Sequence, residues 1–145
     1  MYYRRLYYNT PYKKKIITIT VLFVLGVAVS YLQWGREIDV AGSMGTSSEN
    51  FHEEHVTFTL NRLIITDKEK CAEEIIKKCR ENDFASTLFS YDVAKPNALY
   101  GTVYRSRFSM KGQKPLFHFR YTQTADTLGS YNIVDDPEAF TLVIE

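Results

Sequence analysis

Hydrophobic and polar positions along the chain change rhythm three times. The first stretch, Ile16 to Trp34, is an uncharged run of nineteen residues without proline, preceded by Lys13-Lys14-Lys15. At about 1.5 Å per residue it spans roughly 28 Å as a helix, close to a ~30 Å hydrocarbon core. It has no polar face of the kind a globular helix turns to water. Tyr31 and Trp34 close the run, where amphipathic rings favour the headgroup level. The pattern predicts a transmembrane helix over 16–34.

The second rhythm belongs to an amphipathic helix after Thr66-Asp67-Lys68-Glu69, a capping-box sequence with Thr66 as the cap. Cys71, Ala72, Ile75, Ile76 and Cys79 form one apolar stripe. Glu73 and Glu74 stand four residues before Lys77 and Lys78 on the solvated side. Asn82 marks the C-terminal cap region, with Phe84 folding back onto the last turn.

The third rhythm is alternation. Val56 to Leu60 precedes the helix, and Thr87 to Val93 follows it. Tyr100–Met110 and Pro115–Gln123 flank Lys111-Gly112-Gln113-Lys114, a hairpin signal. Phe140–Ile144 gives a final strand, with Tyr131–Val134 a candidate before it. Consecutive strands with short turns predict an α+β domain, one helix packed on an antiparallel meander, cystatin-like or ferredoxin-like in architecture. No motif of kinship accompanies that order.

The resulting division is a basic, tyrosine-rich tail (1–15), the membrane helix (16–34), a linker (35–50) and a small domain (51–145). Gly35–Asn50 reads as linker because AGSMGTSS has no hydrophobic period and several chain-loosening residues. The last 95 residues suffice for one small core.

Charge then sets orientation. Residues 1–15 hold Arg4, Arg5, Lys13, Lys14 and Lys15 and no acid; the remainder holds 13 basic and 17 acidic residues. Basic flanks stay cytoplasmic. The expected location is the cell membrane, single-pass, with the N-terminus cytoplasmic and the domain outside, and with no nucleic-acid partner. Ala28 and Ser30 have the spacing of a signal-peptide cleavage site. Bulky Tyr31, Leu32 and Trp34 oppose cleavage, so the segment is read as an anchor.

Candidate chemistry is sparse. A two-residue turn at Lys111-Gly112 or Gly112-Gln113 pairs Tyr104 with Phe119 or with Tyr121. Either register gathers Tyr104, Phe108, Phe117, Phe119 and Tyr121 on one face and Arg105, Arg107, His118 and Arg120 on the other. The cationic set is the candidate anion- or partner-binding site, suited to an acidic protein or an anionic envelope polymer.

His52-Glu53-Glu54-His55 is not a zincin pattern, since its histidines stand three apart and alternate faces in an extended chain. Cys71 and Cys79 lie about 12 Å apart along one helix, too far to bond, and read as buried small hydrophobes. Asp135, Asp136 and Glu138 read as a turn. No phosphate-binding loop, dinucleotide fingerprint or nucleophile elbow occurs. No catalytic residue, metal or cofactor is assigned. The expected function is a non-enzymatic interaction or accessory module with an envelope or extracellular partner. The alternatives are a small exported hydrolase or transferase using acids near Asp135 or a Cys–His pair, and a ligand-binding domain with a pocket of Tyr91, Tyr100 and Phe119.

Overall fold

The computed structural model of the chain describes residues 11–127 and 129–145. Arg4, Arg5, Tyr2, Tyr3, Tyr7 and Tyr8 of the basic, tyrosine-rich tail lie outside the described residues. Helix α1 runs Pro11–Trp34, with no buried residue. Proline suits a first helical position, where its missing N–H has no partner to lose. The helix is long and apolar enough to cross a membrane. Its two threonines satisfy their hydroxyls internally: Thr18 donates to the Lys14 carbonyl and Thr20 to that of Ile16, each at 3.0 Å.

Five strands follow: β1 Asp39–Ser48, β2 Phe51–Thr59, β3 Ala98–Tyr104, β4 Phe117–Gln123 and β5 Phe140–Ile144, with helix α2 Lys68–Glu81 between β2 and β3. They form one sheet in the order β1-β2-β3-β4-β5. The domain is α+β, as expected, but the sheet is mixed rather than an antiparallel meander. β2 and β3 run parallel, and α2 is the crossover that returns the chain. This order establishes neither of the two named architectures.

The second correction concerns the linker. Residues 39–48 pair with β2 over its whole length, and only a short connection separates Trp34 from β1. Small polar residues suit an edge strand whose side chains lie largely in solvent. The two-residue turn at Glu49-Asn50 has no glycine and no positive φ, so the usual hairpin signature is absent. A bulge at Ala41 bends β1 near its start.

Helix α2 buries the expected stripe of Cys71, Ala72, Ile75, Ile76 and Cys79. Its N-cap is Asp67, not Thr66: the Asp67 carboxylate accepts from Lys70 N at 3.1 Å. The expected Glu73–Lys77 and Glu74–Lys78 pairs give way to other partners. Glu74 binds Arg62 at 2.7 Å, Lys77 reaches Glu81, and Lys78 reaches Asp83 and lies over the Phe84 ring. Asn82 closes the helix in the left-handed conformation at φ 53°.

The expected strand at Thr87–Val93 does not form. The Asn82 side chain takes a strand partner's place, accepting from Phe89 N and donating to Phe89 O, both at 2.8 Å. Tyr131–Val134 is likewise a turn, organised by the Asn132 side chain.

The β3–β4 register also differs. Val103 faces Phe117, Gly101 faces Phe119 and Leu99 faces Tyr121, and a longer connection with a short 3-10 turn at Ser109–Lys111 replaces the tight hairpin. Phe117, Phe119 and Tyr121 are buried as expected. Tyr104 falls on the opposite face, and Phe108 sits in the connection, 88% exposed. The core lies between α2 and the sheet, built on Phe58, Leu60, Ile75, Leu99, Val103 and Ile133.

Candidate functional site

Alternation along each strand sends one set of side chains toward α2 and the other to the opposite face, where His55, His118 and Arg120 are exposed among the described residues. There, one row crosses the whole sheet through successive strand pairs: Met44, His55, Tyr100, Arg120, Val143. The His55 ring stacks on Tyr100 with centroids 4.6 Å apart and planes 9° apart. Arg120 stands directly across from Tyr100 and makes a long 3.5 Å ion pair with Glu145. In the neighbouring row Thr57, Thr102 and His118 follow one another, and Thr102 Oγ1 lies 3.1 Å from His118 Nδ1. That contact leaves Nε2 as the outward nitrogen.

Gly42, Met44, His55, Thr57, Tyr100 and Thr102 line a shallow cleft of about 340 Å³ on this face. Gly42 offers no side chain to fill it. The surface combines a guanidinium, two imidazoles and the Tyr100 ring with hydroxyl donors, which suits a partner presenting carboxylates or phosphates beside flat groups.

Of the four candidate cations, His118 and Arg120 are brought together on this face, two residues apart on β4. Arg105 is exposed just past the end of β3, its carbonyl accepting from Asn61 N. Arg107 is engaged elsewhere, paired with Asp39 at 3.2 Å. His55 and Tyr100 join the face instead. Reading them there from sequence required the parallel β2–β3 pairing, which no local signal announces.

A second constellation lies on the helix side of the β1–β2 hairpin. Ser47 and His52 are directly opposed, and Ser47 Oγ lies 2.6 Å from His52 Nδ1. His52 Nε2 lies 3.2 Å from Glu54 Oε1. Gly45 opposes Glu54, and a β-carbon there would press on both the carboxylate and the imidazole at 3.0 Å. Its absence makes room for the pair. Asn97 fixes the backbone of His52, accepting from its N–H at 2.8 Å and donating to its carbonyl at 2.7 Å. Glu54 Oε2 is buried without a hydrogen-bond partner among the described residues.

The cavity beside this chain, about 300 Å³, is walled by Leu88, Phe89, Tyr91 and Val93. Burial pushes the Tyr91 phenol and the nearby Cys79 thiol far above their ordinary values, with the Glu54 charge adding to both.

The remaining sequence candidates are separated. His52 and His55 occupy opposite faces of β2, and among the described residues no three His, Cys, Asp or Glu converge as a metal site. Cys71 and Cys79 are free thiols, both buried. The Asp135 carboxylate is held 2.6 Å from Lys95 and 3.0 Å from Asn132, which lowers its pKa. Tyr91, Tyr100 and Phe119 share no pocket: Tyr91 borders the helix-side cavity, Tyr100 lies on the opposite face, and Phe119 is core. No family model, curated protein or solved structure matches the chain.

Proposed function

We propose that the chain is a single-pass membrane-anchored module whose domain lies outside the cytoplasm and binds an envelope or extracellular partner through the face opposite α2. The carrying observation is the uncovered row Met44–His55–Tyr100–Arg120, with His118 beside it. Lys13, Lys14 and Lys15 on the first turns of α1 support the cytoplasmic placement of its N-terminus. The partner is a protein with an acidic surface or an anionic envelope polymer, recognised by Arg120 and the imidazoles rather than transformed by them. Confinement to one bilayer raises the local concentration of both partners. Protease applied to intact cells carrying a C-terminally tagged chain tests the placement. Loss of the tag with the protein still membrane-bound is expected. A protected tag reverses the orientation, and a shortened, released species means a cleaved leader.

The Ser47–His52–Glu54 chain favours a second reading, a small exported hydrolase or transferase. With the Ser47 hydroxyl donating to Nδ1, Nε2–H donates to Glu54. That is the sequence of nucleophile, base and orienting acid that acyl transfer uses. Ser47 Oγ would attack an acyl carbon as its proton passes to His52, which would return it to the departing alcohol or amine as the old acyl bond breaks. The acyl group, held by the apolar wall, would stay on Ser47 until water or a second acceptor takes it. Labelling of the full chain by a fluorophosphonate, absent in Ser47→Ala, supports this reading; an unlabelled Ser47 removes it.

A further inference from the structure

The segment Asn61–Ile64, between β2 and α2, is strapped to the end of α1. Gln33 Oε1 accepts from Leu63 N at 3.1 Å and from Ile64 N at 2.9 Å, and Gln33 Nε2 donates to the Ile64 carbonyl at 2.8 Å. Asn61, at φ 54°, donates through its side chain to the Glu37 carbonyl, and Arg36 donates to Asn61 Oδ1. One glutamine in the last turn of the helix therefore pairs with three of the four backbone polar groups of Leu63 and Ile64 in an irregular loop.

The side chains of that loop point the other way in polarity. Leu63 is 40% exposed and Ile64 66% exposed, beside Trp34 at 77%. Val29, Gln33, Trp34, Leu63, Ile64 and Thr66 line a shallow, mainly apolar recess of about 370 Å³. The loop thus extends the apolar surface of α1 sideways at the level of its last turn. Irregular backbone is costly at membrane depth because its N–H and C=O groups have no water. Here Gln33 lowers that cost for the two residues whose side chains are apolar, pairing both N–H groups and the Ile64 carbonyl.

We propose that Leu63 and Ile64 insert into the headgroup–acyl boundary of the same leaflet that receives Trp34, so that the domain sits against lipid at a fixed height rather than on a flexible tether. The inference rests on the membrane-spanning reading of α1. Its occupant is phospholipid, chosen because the apolar patch is continuous with the apolar helix. Two apolar side chains beside a tryptophan match an interfacial insertion a few ångströms deep.

The test uses the full chain in phosphatidylcholine–phosphatidylglycerol vesicles, with acyl chains brominated near the carbonyl end or near the methyl end. Trp34, the sole tryptophan, reports on the anchor. Trp34→Phe combined with Ile64→Trp, and separately with Leu63→Trp, reports on the loop. Trp34→Phe with Leu88→Trp reports on an exposed position lining the cavity of Ser47 and His52, near the far end of the hairpin.

Bromine near the carbonyl end is expected to quench Trp34 and at least one loop tryptophan about twofold or more, and bromine near the methyl end less, with Leu88→Trp unaffected. Quenched Trp34 with both loop reporters unquenched overturns the insertion and leaves the anchor standing. Loop reporters quenched no more than Leu88→Trp overturn it as well. Unquenched Trp34 removes the anchor and the insertion together.

Discussion

The Phe119 ring lies directly over Gly101 of the neighbouring strand, in the space a side chain would occupy. A β-carbon built at Gly101 overlaps that ring, and Phe119 in turn stacks on Phe58 with centroids 6.1 Å apart. Gly101→Ala must displace an aromatic that is buried in the core. The expected cost is about 1–3 kcal/mol, the usual range for overpacking. Thermal unfolding of the single variants and of Gly101→Ala/Phe119→Leu checks it. The pair should be non-additive, because the smaller side chain relieves the overlap.

The cap of α2 distinguishes neighbouring residues. Asp67→Ala removes the acceptor for Lys70 N and should cost about 1 kcal/mol. Thr66→Ala should change stability by less than about 0.5 kcal/mol. Denaturant melts of the two variants read the difference, and equal effects would return the cap to Thr66.

Alkaline pH should loosen the domain through its buried acids. Cys79 and Tyr91 have ordinary values of 9.0 and 10.0, and burial holds both protons well beyond that in the fold. Raised folded values mean that this stabilisation is complete below about pH 9 and declines as pH rises, because the unfolded chain deprotonates first. Each such group contributes a slope of up to about 1.4 kcal/mol per pH unit. Unfolding free energies between about pH 8 and 11 should fall, and fall less steeply in Cys79→Ala.

Gln33→Ala should release the loop from the helix end. Leu63 and Ile64 each lose the acceptor for their N–H. Their amide exchange should rise roughly fivefold, as expected for losing a hydrogen bond worth about 1 kcal/mol. Exchange in the sheet, for example at Val103, should stay unchanged.

Local signals made much of the fold legible, and pairing between distant segments made the rest opaque. The stripe Cys71 to Cys79 announced α2 because helical periodicity is contained in one segment. Phe140–Ile144 was legible for the same reason. β1 was not: AGSMGTSS carries no alternation, since an edge strand with exposed faces needs none, and its turn lacks glycine. Missing β1 also hid Ser47 opposite His52. The parallel β2–β3 contact depends on α2 folding the chain back, so His55 beside Tyr100 was invisible to any window of sequence. The cationic face was half legible. His118 and Arg120 share a strand, whereas Arg105 and Arg107 fall past the end of β3, where alternation no longer assigns a face.

The most direct test of the partner-binding face is site-specific photo-crosslinking in intact cells. One full-length chain carries the photoreactive residue at Tyr100 and another at Lys77, an exposed position on the solvent side of α2. A discrete adduct from position 100, lost when Arg120→Glu is added and absent from position 77, is the predicted result. Adducts from position 77 alone, or an adduct at position 100 indifferent to Arg120→Glu, would contradict it.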